Sequence, residues 1–375
     1  VQLSPYNRGW FCREKAIASG FAEQLYRRAG IGKHTDGQQM PDETRLIERV
    51  ARVIPSFIGT KGRPKGVFLG IGDDAMVIGQ NAGTDWVVTV DGFAQDIHFW
   101  ADRHPADSVG YKSLARATSD LAAMGAKPRV FLLTLALPKS RTGKWLDAFL
   151  RGMGRAARSL RLTLAGGDTT QSDSISIGIT VFGEMARGLA VTRSGARPGD
   201  VLFVSGALGR AQLGLEIVRR GLAQNRNLGK LLQPHLYPQV RLELGRFLAE
   251  RRLASAMMDI SDGLSTDLAR LSSASGVGAR LFEAKIPQVN IPGWIARRLG
   301  GKRANPLDMA LHGGDDYELL FTVPKQLLSG LRKAPGFRNL AAIGEIHRGS
   351  GVSLVRDQRD TRSLASLGWD PFRKK

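Results

Sequence analysis

Gly70-Ile71-Gly72-Asp73-Asp74-Ala75 runs into Met76-Val77-Ile78 and is followed by Val87-Val88-Thr89-Val90-Asp91. Two adjacent carboxylates sit in a glycine turn and a third closes the next β-branched run, so three negative groups converge on one edge of a sheet. Like charges held close raise one another's pKa and destabilise a fold unless protons or cations neutralise them. Mg²⁺ suits such a cluster, because it takes hard oxygen ligands from one or two carboxylates and fills its shell with water and substrate phosphate. Two other readings compete. Gly70, Gly72 and Ala75 fit G-x-G-x-x-A, with Asp91 near the place of the ribose-binding acid of a dinucleotide fold, and the same residues also suit a plain surface turn. Against the dinucleotide reading, Asp73 and Asp74 would face a pyrophosphate, and Met76-Val77-Ile78 leaves no room for a crossover helix.

A chain of 375 residues can bury a sizeable core and is more comfortable as two domains than one. Hydrophobic residues make up 42% and charged residues 23%, the balance of a soluble globular protein. The single cysteine, Cys12, excludes a disulfide framework within the chain and fits a reducing cytoplasm. A net charge of +20 and a pI near 10.7 invite a nucleic-acid or anionic-membrane reading. The distribution argues against both: the arginines are scattered, as at Arg151, Arg155, Arg158 and Arg161, with no long basic run and no interleaved aromatic platform. The longest apolar run, Val130 to Leu137, is far too short to span a bilayer.

Three segments follow from composition and turns: residues 1–42, 43–190 and 191–375. The first is a basic extension with Arg8, Arg13, Lys15, Arg27, Arg28 and Lys33, to which no role is assigned. It lacks the apolar core of a secretory signal, and its opening residue, Val1, fits a fragment boundary or a mis-set start as well as a targeting arm. In the second, a helix is expected from Asp42 or Thr44, and another from a cap at Asp107 to Met124, where Gly125 and Pro128 stop it. Asp120 then falls in its last turns, where the helix dipole disfavours an anion. It either answers a nearby cation or simply faces solvent. Val130 to Leu137 reads as a buried strand, Trp145 to Leu160 as an amphipathic helix, and Leu162-Thr163-Leu164 as a strand running into Gly166-Gly167-Asp168-Thr169-Thr170. Paired glycines let backbone N–H groups approach phosphate, and the following Asp and hydroxyls can hold its metal.

The third segment opens after the polar stretch Thr192 to Asp200. Ser205-Gly206-Ala207-Leu208-Gly209 leads from a strand into a helix, either an anion-binding helix N-terminus or a tight connection. Met258-Asp259-Ile260-Ser261-Asp262-Gly263-Leu264 repeats the theme of acids at a strand end. Gly313-Gly314-Asp315-Asp316-Tyr317-Glu318 does so again before strand Leu319 to Val323. Walker A spacing and the protein-kinase catalytic loop are absent. Acids in this number still suit a metal and polyphosphate site, since phosphoryl transfer needs mainly positioning and charge neutralisation. No strong covalent nucleophile is present, so direct in-line attack is the simpler mechanism.

The order GIGDDA (70–75), VDGFAQDIHF (90–99), SDLAAMGAKP (119–128), GGDTT (166–170), TRSGARPGD (192–200), MDISDGL (258–264), GGDDYELLF (313–321) and GW (368–369) resembles the thiamine-monophosphate kinase family over roughly residues 43 to 372. The resemblance implies a two-domain α/β (α+β) fold like that of aminoimidazole ribonucleotide synthetase. An N-terminal sheet domain would form a homodimer, and a C-terminal α/β domain would close the site. It also implies Mg²⁺-dependent transfer of the ATP γ-phosphate to thiamine monophosphate, the last step of thiamine diphosphate synthesis. By motif position, Asp74, Thr89, Val90 through its carbonyl, Asp91, Asp120, Asp168, Asp259 and Asp262 would hold several Mg²⁺ ions. Gly167, Asp168, Arg193 and Ser261 would contact ATP. His98, Asp315 and Trp369 would meet the acceptor. Two residues depart from the family: Asp315 stands where Glu is usual, and Gly92 where a larger residue follows the aspartate. Competing readings are another ATP-dependent synthetase of the superfamily, of selenophosphate or hydrogenase-maturation type, and a basic nucleic-acid-binding protein.

Overall fold

The protein is described by a computed structural model over residues 66–80, 83–222, 228–300, 304–357 and 360–372, with residues 46, 47 and 51. Residues 1–42, Cys12 and the helix start at Asp42 or Thr44 lie outside the described residues; Leu46, Ile47 and Ala51 are helical.

Ser176 to Ala186 alternates buried and open side chains along its length, the signature of a strand with one wet face. It is the centre of the first sheet, in which six strands run in the order β1-β2-β3-β6-β4-β5. These are β1 (Val67–Leu69), β2 (Met76–Gly79), β3 (Thr84–Ala94), β4 (Lys127–Leu137), β5 (Thr163–Gln171) and β6 (Ser176–Ala186). β1 and β2 are antiparallel neighbours around the acidic turn, which rules out the dinucleotide fold with its parallel strands and crossover helix. β3 outruns β2, so Asp91 lies within a strand and not at its end. β4 is buried on one face only: Leu132 is 37% exposed, because the sheet carries helices on a single side. The Gly166-Gly167-Asp168-Thr169-Thr170 segment does not follow the strand but forms the body of edge strand β5, parallel to β4. A Cβ on Gly167 would stand 1.9 Å from the Leu133 carbonyl oxygen, so the glycine serves strand approach.

Helices α1 (Ala106–Met124) and α2 (Lys144–Leu160) pack on each other, and α1 covers the inner face of the sheet. Gly125 ends α1 in the left-handed region, as expected. Asp107 does not cap α1. Its carboxylate instead accepts hydrogen bonds from Arg155 Nη2 at 2.7 Å and the Tyr237 hydroxyl at 2.9 Å, because Pro105 already sets the entry angle of the chain.

The second sheet has seven strands in the order β13-β12-β9-β11-β7-β10-β8. They are β7 (Val201–Val204), β8 (Ala256–Asp259), β9 (Gly278–Phe282), β10 (Leu319–Val323), β11 (Ala341–His347), β12 (Val352–Val355) and β13 (Thr361–Ser363). Its helices are α3 (Arg210–Arg219), α4 (Gly229–Leu236), α5 (Leu242–Glu250), α6 (Leu264–Ser275), α7 (Gly293–Leu299) and α8 (Pro306–His312). Alternation along β10 divides its side chains between two cores. Leu320 joins Leu202, Met258, Leu264 and Leu268, while Leu319, Phe321 and Val323 join Leu121, Met124, Leu244 and Leu248. The second core therefore belongs to one sheet, and the first is shared by both.

The shared core brings α5 against α1 so closely that a Cβ on Gly245 would stand 1.9 Å from the Ala122 carbonyl oxygen. Gly245→Val should therefore destabilise the protein by about 1–3 kcal/mol, the usual range for overpacking. Urea denaturation checks this, and an unchanged midpoint would mean that the two helices separate freely.

Candidate active site

On α1, Lys112, Arg116 and Asp120 stand four residues apart and share one stripe. Four helical residues rise about 6 Å, close to the advance of two strand residues, so the stripe matches alternate positions of a strand beneath it. β3 supplies those positions on its inner face. Arg116 holds the Asp91 carboxylate through Nε and Nη2, the latter at 2.9 Å. The Thr89 hydroxyl donates to Asp120 Oδ2 at 2.6 Å. Val90, between them, points to the outer face and is 72% exposed; its side chain takes no part in the cluster.

Asp120 meets two other acids. Asp74 comes from the turn between β1 and β2, Asp259 from the end of β8, and oxygens of all three lie within 4.8 Å of one another. Asp74 is 7% and Asp259 2% exposed, so water screens their repulsion poorly. Burial and then the Asp74 charge push Asp259 up to about 7, and burial with Asp259, Asp74 and Asp91 raises Asp120 well above the carboxylate range. Burial and Asp74 likewise lift Asp73 to about 7. Arg193 opposes them: its Nε donates to Asp74 Oδ1 at 3.0 Å, and its backbone N–H to the Asp73 carboxylate at 3.2 Å. Among the described residues, Oδ2 of Asp74 accepts no hydrogen bond, and Oδ2 of Asp259 has no partner of hydrogen-bonding geometry although Ser119 stands beside it. Buried, orphaned, oxygen-only donors fit a hard divalent cation such as Mg²⁺.

The loop after Asp259 is fixed by Asp267, a residue that sequence reasoning missed. The backbone N–H groups of Ser261, Asp262 and Gly263 all donate to Asp267 Oδ2, at 3.1, 3.0 and 3.0 Å. Burial and then Asp262 raise Asp267 to about 8. Arg270 pairs with both Asp262 and Asp267, and the Asp262 charge acts on Asp259. The Trp369 backbone N–H donates to the Asp262 carbonyl at 2.8 Å, and its side chain remains 41% exposed over the loop. Asp315 N–H donates to the Ser261 carbonyl at 2.8 Å, joining this loop to the next acidic turn.

His98, Arg116, Lys112, Asp91 and Asp315 form the other pole, each charge acting on the His98 ring. Burial and then Arg116 lower His98 to about 4, so the ring is neutral near pH 7. The Ala94 N–H donates to its Nδ1 at 3.0 Å, which assigns the ring proton to Nε2 and leaves that N–H as a donor. Asp315, expected on the acceptor side, is held by two neighbours. Lys112 Nζ donates to its Oδ2 and the Tyr317 hydroxyl to its Oδ1, each at 2.7 Å. Burial opposes its charge, but Lys112, His235 and Arg116 prevail and hold the carboxyl below the usual range.

Gly167 and Asp168 are not drawn into the trio; they lie exposed on β5, with Asp168 opposite Thr134. The helix N-terminus after Ser205 to Gly209 is not open to an outside anion. The Asp316 carboxylate already accepts from Gly209 N–H at 2.6 Å and Ala211 N–H at 3.0 Å, a partner too distant in sequence to foresee. The Lys112 and Arg116 contacts were also missed, although their four-residue spacing from Asp120 was a usable signal.

Two family models match the chain: the N-terminal domain of AIR synthase related protein over residues 72–185 and the C-terminal domain over residues 197–357. The thiamine-monophosphate kinase of Escherichia coli (strain K12) is 36% identical over 312 residues, 82% of this chain and 92% of that protein. That of Aquifex aeolicus (strain VF5) is 33% identical over 303 residues, 80% and 92% of the two chains. The solved structure of AaThiL complexed with AMPPCP and TMP superimposes with a TM-score of 0.72 at 28% identity, covering 88% of this chain and 99% of that one. Hydrogenase maturation protein HypE is also similar, with a TM-score of 0.61 over 75% of this chain and 88% of that one, but at 21% identity it shares the fold alone. Sequence likeness over most of both chains, on the same pair of domains, makes this protein a member of the thiamine-monophosphate kinase family.

Proposed function

We propose that the chain transfers the γ-phosphate of ATP to thiamine monophosphate, giving thiamine diphosphate and ADP. The observation that carries the reading is the buried trio Asp74, Asp120 and Asp259, with orphaned oxygens, at the junction of the two sheets. Asp74, Asp120 and Asp259 would hold Mg²⁺, with Thr89, Asp91, Asp262, Asp168 and the Val90 carbonyl completing the set. Bound there, the metal neutralises charge on the transferring phosphoryl group. Arg193 meets the ATP phosphates from the other side of Asp74, and Ser261, Gly167 and Asp168 complete the nucleotide contacts. His98 offers its Nε2–H to the acceptor phosphate without adding charge, while the Asp315 loop and Trp369 flank the acceptor. A phosphate oxygen of thiamine monophosphate attacks the γ-phosphorus. The new P–O bond forms as the bond to the β–γ bridging oxygen breaks, and the electron pair leaves with ADP. No protein nucleophile is required.

The domains we assign are 43–190 and 191–375. The outer face of the first sheet leaves Val90, Leu132 and Leu164 at 72%, 37% and 53% exposure, an apolar surface that a second copy of the chain would cover in a homodimer. No helix among the described residues is long and apolar enough to cross a membrane, and we assign the protein to the cytoplasm with no nucleic-acid partner.

ADP release should require thiamine monophosphate and Mg²⁺ together, vanish with EDTA, and fall about a hundredfold or more in Asp262→Asn. ATP binding without turnover on this acceptor would redirect the search to another acceptor on the same fold. The trio also sets a pH response. A carboxyl at about 7 in the folded state and about 4 in the unfolded chain keeps its proton only when folded. Its contribution to stability is full at low pH and is lost as pH rises through the folded value. His98 and His104, held down to about 4, lose stability only below their ordinary value of about 6.5. The metal-free protein should therefore melt lower at about pH 8.5 than at about pH 6.5. Asp259→Asn should lessen that fall, with Asp73 and Asp267 supplying the remainder, and saturating MgATP should raise the melting temperature more at the higher pH. A metal-free melting temperature that rises across the window contradicts this assignment. Sedimentation at micromolar concentration should give a dimer, and a monomer would reject the sheet-face contact.

A further inference from the structure

Lys112 is 3% exposed, and the reaction described above does not use its ammonium. Nζ donates to Asp315 Oδ2 at 2.7 Å and lies 3.2 Å from His235 Nδ1, while His235 Nε2 lies 3.0 Å from His104 Nε2. With Lys112 charged beside Asp315, His235 Nδ1 has to accept, which places the proton of His235 on Nε2, facing the His104 ring. One ammonium thereby ties α1, α4 and the segment before α1 to the 313–317 loop.

That loop needs such a tie. Asp315 and Tyr317 have φ values of 68° and 51°, in the left-handed region that non-glycine residues occupy only when their surroundings hold them there. Lys112 and the Tyr317 hydroxyl each hold one Asp315 oxygen, so the carboxylate braces the loop from two sides. The His98 ring feels the charges of Lys112 and Asp315 directly. Asp120, by contrast, lies two turns further along α1, about 12 Å from Lys112.

We propose that Lys112 is a positioning residue for the acceptor side of the site: through Asp315 it fixes the 313–317 loop against His98, and so sets affinity for thiamine monophosphate rather than for ATP. The assignment rests on the acceptor reading given above. Lys112→Met should raise KM for thiamine monophosphate about tenfold or more, the scale of a lost charged hydrogen bond. KM for ATP should stay within about twofold, and Lys112→Arg should recover part of the loss. Tyr317→Phe, which removes the second restraint on Asp315 at nearly constant volume, should raise the same KM and leave that for ATP unchanged. Equal rises in both KM values, or no change in a variant that melts cooperatively, overturns the proposal. If Lys112→Met does not fold, an unchanged acceptor KM in Tyr317→Phe overturns it. A wild-type chain with no turnover on thiamine monophosphate defeats the acceptor reading itself, and the role of Lys112 with it.

Discussion

Three carboxylates within 4.8 Å of one another, two of them almost wholly buried, cannot all be ionised without compensation, and much of this structure exists to hold them there. The compensation is arranged in layers. Arg193 grips Asp74, Arg116 grips Asp91 and Arg270 grips Asp262, so one acid of the trio and two beside it each have a guanidinium partner. Isolated pairs of this kind on a surface contribute little. Here the pairs are largely desolvated, and losing one partner would strand a charge in a region with few waters to receive it.

Helix α1 acts as the ruler of the site. It is pressed between the first sheet and the strands of the second, and its stripe turns one helical period into the spacing between a metal-type cluster at Asp120 and a phosphate-type cluster near His98. Asp91 stands between the two, acting on Asp120 and on His98 alike. Because the core under α1 is shared by both sheets, the ruler cannot shift without disturbing hydrophobic packing on two sides.

Acidic turns were legible because glycine, aspartate and a flanking β-branched run are local signals. Strands β4, β8 and β10 and helices α1 and α2 lie close to where the sequence puts them. Asp120 was open between two readings on sequence alone, since the dipole argument says only that something must compensate it. Signals that act across the chain were missed. Asp316 fills the α3 terminus from more than a hundred residues away, and Asp267 looks like an ordinary first-turn acid until three backbone donors are seen to converge on it. The glycine pair at Gly166-Gly167 reads as a close backbone approach to phosphate after a strand; in the fold Gly167 serves close approach to the neighbouring strand.

The position of β8 has a further consequence for the life of the chain. Among the described residues β8 is an edge strand with β10 as its neighbour in the sheet, and Asp259 hangs from its end. Asp74 and Asp120 come before Asp259 in the chain, and the strand that seats Asp259 is held on one side by α1 and on the other by β10, which is made after it. The first core also takes Leu319, Phe321 and Val323 from β10, so the sheet that carries two of the acids and the strand that delivers the third are completed by the same segment. During translation the three carboxylates, with their mutual repulsion, therefore reach their final packing only once β10 has been made.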